Sequence, residues 1–140
     1  MINDNLKLTG ALTIAINDTI VQKTENLVVT AGKEWVADRM NNANTVMTYM
    51  SIGTGTTAAA AGNTTLVTEL DRNALSSTTV TGANVAYVAS WAAGDGTGAI
   101  TEAGIFNSVT NGSMLARTTF NVVNKGEDDS MTITWTVTVS

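Results

Sequence analysis

The chain has 140 residues and a net charge of −5, with 7 basic residues against 12 acidic ones. Neutralising phosphates takes clustered Lys and Arg, so nucleic acid is not an expected partner. Cys and His are both absent, which excludes disulfides, thiolate or imidazole metal sites and His-based acid–base or triad chemistry.

The length fits one domain, residues 1–140, with room for a real core. Pro is absent while Gly, Thr, Ala and Asn abound, the mix of many short strands joined by Gly/Asn turns. Only 14% of residues are charged, below the usual quarter or so, and such a surface suits burial against partners. No basic-then-apolar leader is present, so no secretory signal is expected. The longest apolar-rich stretch, 85–93, is broken by Ser90 and too short to cross a bilayer, so no membrane is expected either.

Residues 1–5, with Asn3, Asp4 and Asn5, are expected to form an N-terminal arm, flexible or docked on a neighbour. Leu6, Leu8, Leu12, Ile14 and Ile16 then alternate with Lys7, Thr9, Ala11, Thr13 and Ala15. That period of two predicts a strand, with a bulge at Gly10, which fills the missing apolar slot. Asn17-Asp18 is turn chemistry, and 19–24 with 26–29 are one strand or two. Thr30 reads as an N-cap for a short helix at about 31–41. Trp35, Val36 and Met40 share its apolar face, with Glu34 near the start and Arg39 near the end, as the dipole prefers.

The stretch 45–52 reads as a strand, and Gly53-Thr54-Gly55 with the Ala run to Gly62 as a flexible connection. Asn63 or Thr64 would cap a single turn carrying Leu66 and Leu70. Residues 74–80 and 85–91 predict a hairpin around Thr81-Gly82-Ala83-Asn84. Gly94, Gly96 and Gly98 mark a loop, 99–106 a strand, Asn111-Gly112 a tight turn, 114–122 a strand and 124–129 a polar turn. The last eleven residues are the spine. Met131, Ile133, Trp135, Val137 and Val139 fall on one face, with Thr132, Thr134, Thr136 and Thr138 on the other. Burial returns about 1.5–3 kcal/mol per large side chain, while ordering the backbone costs about 1–2 kcal/mol per residue. Such a strand persists only inside a sheet with a partner layer. The expected fold is all-β, a jelly-roll-like two-sheet sandwich with one short helix.

Chemistry-bearing patterns are few. Neither Gly53-Thr54-Gly55 nor Gly94-Asp95-Gly96-Thr97-Gly98 carries the Lys of a phosphate loop. Asp95, Thr97 and Glu102, or Glu127, Asp128 and Asp129, lack the spaced acids of a calcium loop, so no metal is expected. A Ser nucleophile would need Lys7, Lys23, Lys33 or Lys125 as its base, and none has a catalytic context. Nothing in the spacing of Glu69, Asp71 and Glu102 demands carboxylate-pair chemistry. No catalytic residue, cofactor or enzymatic activity is expected. Trp35, Trp91 and Trp135 are core residues, with a subunit contact as the sharper alternative. Glu102 and Arg117 interrupt two otherwise small or apolar strands flanking Asn111-Gly112. They predict a structural ion pair, with Arg72 as the alternative partner of Glu102, or else two unrelated exposed charges.

Three stretches resemble tailed-bacteriophage virion proteins. V-V-T-A-G-K-E-W-V-A-D-R-M at Val28–Met40 resembles a strand-then-helix opening common in small proteins of this kind. T-E-L-D-R-N-A-L at Thr68–Leu75 follows a Gly/Ala loop. I-T-E-A-G-I-F-N at Ile100–Asn107 is followed by G-S-M-L-A-R-T-T-F at Gly112–Phe120, similar to a segment of tail-collar fibre and head-decoration proteins. The resemblance covers most of residues 28–140 and carries no catalytic residue. It implies a capsid cement, or decoration, protein with a jelly-roll fold. Such a protein sits on the outer surface of the capsid as a dimer or trimer and binds across neighbouring major capsid proteins. The alternatives are a tail-fibre collar or head–tail adaptor module and, from another class, a carbohydrate-binding β-sandwich.

Overall fold

A computed structural model describes residues 6–41 and 44–140; the expected arm at 1–5 lies outside them. Among the described residues there are nine strands and one helix. The strands are β1 (Leu8–Ile16), β2 (Thr19–Val28), β3 (Tyr49–Gly53), β4 (Glu69–Ala74), β5 (Ser77–Thr81), β6 (Asn84–Trp91), β7 (Gly98–Phe106), β8 (Met114–Lys125) and β9 (Met131–Val139). Helix α1 (Thr30–Met40) follows β2. The all-β class with one short helix is what the chain adopts.

All strands pair antiparallel, in the order β4-β3-β7-β8-β2-β1-β9-β6-β5. They belong to one continuous curled sheet, where two separate sheets were expected. β2 is the joint. Its stretch up to Asn26 pairs with β1, while Leu27 and Val28 pair with Ala116 and Arg117 of β8. The sheet's halves face one another over a shared core. Leu12, Ile14, Trp91, Ile133 and Trp135 from one half pack with Met50, Ile52, Ile100, Ile105 and Leu115 from the other.

β9 lies in the middle of its half, flanked by β1 and β6 along its whole length. Met131, Ile133, Trp135 and Val137 are buried and the threonines between them half-buried. Val139 departs from the expectation at 37% exposure. It pairs with Leu8 at the sheet's rim, where the core has ended.

Other differences have local causes. Gly10 forms no bulge; the register shift lies at Ile14/Ala15. Gly10 is small because the Asn26 side chain lies where its Cβ would be, and Asn26 Oδ1 there accepts the Trp135 indole N–H at 2.6 Å. The helix cap is Val29, without a side-chain bond, and Thr30 is already helical. α1 docks by its first half. Gly32 is buried against the backbone of Leu115, Trp35 and Val36 reach the core's rim, and Met40 is 86% exposed rather than on a buried stripe. The strand expected from 45 starts only at Tyr49, since the Thr45 carbonyl accepts the Trp35 indole N–H at 2.7 Å. No turn of helix forms after Asn63; Leu66 is buried on Phe106 and Met114, and Leu70 lies in β4.

Candidate functional site

The long connection 54–68 has no regular structure of its own, so its backbone groups need partners elsewhere. One buried carboxylate supplies three of them. Glu102, mid-β7 and fully buried, accepts from Gly55 N–H at 2.8 Å, Val67 N–H at 2.9 Å and Thr68 N–H at 2.8 Å. Arg117 on the neighbouring β8 completes the set, donating from Nε at 3.1 Å and Nη2 at 2.9 Å to Glu102 Oε1. Both side chains are 0% exposed. Arg117 also reaches the connection itself, through the Asn63 side-chain oxygen at 2.9 Å and the Thr57 carbonyl at 2.8 Å. Thr101 donates its hydroxyl to the Gly55 carbonyl at 2.8 Å.

Burial pushes the Glu102 carboxyl up; the N–H groups of Thr68 and Val67, Arg117 and the Gly55 N–H outweigh it and hold it below the usual carboxylate range. A buried charge is tolerated here because each lone-pair direction has a donor. The Gly53-Thr54-Gly55 motif is thereby explained. A Cβ at Gly55 would collide with Glu102 Oε2 and with Val67. Glycine lets the backbone approach an anion, and that anion is the protein's own.

Glu102 and Arg117 therefore meet, and Arg72 is not the partner of Glu102. Arg72 pairs with Glu69 at 2.7 Å, stacks 3.8 Å over the Phe106 ring, and donates to the Ser108 and Asn111 carbonyls at 3.0 and 2.9 Å. It clasps the 107–113 turn, where Asn111 and Gly112 take the positive φ values, 53° and 77°, that their pairing predicts. Of the calcium-like sets, Glu102 is engaged as above, and Asp129 accepts from the Gly126 N–H at 2.8 Å and the Asn17 amide at 2.8 Å. The Asn17 amide and the Gly126 N–H hold Asp129 low as well. Among the described residues no three His, Cys, Asp or Glu side chains gather as a metal set. Lys7, Lys23 and Lys33 are exposed, while Lys125 is buried on the Ala92 carbonyl at 2.9 Å.

Sequence reasoning missed the Gly55, Val67 and Thr68 amides, which carry no side-chain signal, and Asn63, read there as a cap. The chain matches no protein-family model, no curated protein and no solved structure.

Proposed function

We propose that the chain is a structural virion protein of a tailed bacteriophage, a capsid cement or decoration protein. It binds across neighbouring major capsid proteins on the outer surface of the head, as a dimer or trimer, and stabilises the shell. One observation carries the reading: the three family-like stretches meet at one structural centre. Ile100–Asn107 and Gly112–Phe120 supply Glu102 and Arg117. Thr68–Leu75 supplies the Thr68 N–H and β4. Val28–Met40 supplies α1, whose Thr30 N–H donates to the Ala61 carbonyl of the same connection at 2.8 Å. The residues that carry the resemblance serve to pin a long surface loop onto the sheet, and a pinned surface loop suits a clamp between subunits better than it suits chemistry.

The finer fold belongs to the same proposal: the two halves of the curled sheet serve as the layers of a jelly-roll-like sandwich. The role is mechanical and needs no cofactor, nucleic acid or membrane. A carbohydrate-binding sandwich is disfavoured because sugar sites use exposed aromatics. Trp91, Trp135, Tyr87 and Phe106 are buried here, and Trp35, Tyr49 and Phe120 are half-buried. The tail-collar reading shares the motifs and is separated by location on the particle. The test is thermal release of DNA from particles made with and without this protein. Release at lower temperature without it is the expected result; equal release in both would overturn the cement role.

A further inference from the structure

The curled sheet has two terminal strands, and they differ in chemistry. β4 carries Glu69, Asp71 and Arg72, the charged guard that edge strands ordinarily have. β5 reads Ser77-Thr78-Thr79-Val80-Thr81, and no charged residue occurs from 73 to 94, so the whole β5–β6 hairpin is uncharged. All of β5 is exposed, including Val80 at 69%, whose pairing with Val85 would otherwise place it under cover. β5 has β6 as its sole strand neighbour, so alternate backbone N–H and C=O groups face outward along its free side. A notch of about 510 Å³ adjoins that side, lined by Val46, Met47, Tyr49, Leu75, Ser77 and Thr78 and by no residue of β6.

We propose that β5 pairs antiparallel with β5 of a second copy about a two-fold axis at Thr79. The strand is self-complementary in that register. Thr79 meets Thr79, Thr78 meets Val80 and Ser77 meets Thr81, all β-branched or hydroxyl pairs of the kind that favour a sheet, with no like charges opposed. The partner's hairpin end then lies beside the notch and covers Val46 and Val80. Because the contact is isologous and uses up both free edges, it closes at two copies, and the charges on β4 keep the sheet's other end from extending the array. The edge gives a surface to the self-association in the proposed role, yet it rests on the strand alone, and its failure would leave that role open to a trimer.

The chain has no cysteine, so single thiols report cleanly. Across the axis the Cα atoms of position 79 come within disulfide range, while those of position 80 are offset by two residues, about 8 Å, which is beyond it. Under mild oxidation Thr79→Cys should couple at least tenfold more than Val80→Cys, although Val80 is the more exposed. In sedimentation, Thr79→Lys and Thr79→Glu should each run as monomers and their mixture as a dimer, with far-UV circular dichroism confirming that both fold. Equal coupling at both positions, or a Thr79→Lys protein that remains dimeric, would overturn the pairing. So would a monomeric native chain whose edge amides gain protection only when a different protein is added, which would assign the edge to a foreign strand.

Discussion

At the scale of single residues, Glu102 is a buried charge held by five hydrogen bonds, three from backbone and two from Arg117. Glu102→Gln leaves Arg117 buried without a counter-charge. Breaking such a pair from one side costs about 3–5 kcal/mol, read as a lower urea midpoint at unchanged slope. Buried pairs are often replaced by apolar residues without loss, but that should fail here. Glu102→Leu with Arg117→Met still orphans the amides of Gly55, Val67 and Thr68, at about 1–3 kcal/mol for each unmet group. Exchanging the two charges should not rescue stability either, because a cation at position 102 cannot accept those amides; full recovery in a double-mutant cycle would refute the account. The pH dependence follows with its sign. The folded carboxyl lies below its ordinary value near 4.5, so its contribution is complete above that pH and is lost as pH falls through the lower folded value. Stability measured by urea titration should therefore fall below about pH 4.5 in the native chain, and fall less steeply in Glu102→Gln.

At the scale of elements, the helix shows how local preference yields to packing. Gly is a poor helix former, and replacing it with Ala in a helix interior ordinarily gains about 1 kcal/mol. Gly32→Ala should instead lower the melting temperature, since the new Cβ would run into the Leu115 carbonyl and push α1 off β8. Overpacking of this kind costs about 1–3 kcal/mol, enough to reverse the sign; a higher melting temperature would show that the helix shifts freely. The strands were legible wherever one face is buried. Alternation marks β1 and β9 because each has the core on one side. β7 and the start of β8 show instead as small or apolar runs because both their faces are buried, and Asn17-Asp18 and Asn111-Gly112 mark turns because their residues take positive φ. The helix face was overread at Met40, since periodicity does not say where the partner surface stops. The start of β3 was overread because the Thr45 carbonyl goes to the Trp35 indole, a contact with no local signature.

At the scale of the whole molecule, the sequence conveyed the class but not the closure. Nothing in the alternation of 19–28 tells that its last two residues leave β1 for β8, and that single change of partner makes one curled sheet out of two halves. The candidate centre was half legible. Two charges interrupting apolar strands left a pair and two unrelated exposed charges both open, whereas the backbone amides that converge on Glu102 are invisible in a list of side chains. The resulting molecule has a pinned loop and an open uncharged edge, the parts that the proposed role would use for lateral contacts. The most direct measurement of the proposed cement role is the copy number of the chain, quantified against the major capsid protein in purified particles of the tailed phage to which that proposal assigns it. The cement role predicts hundreds of copies per particle; a handful, as at a single vertex, would contradict it.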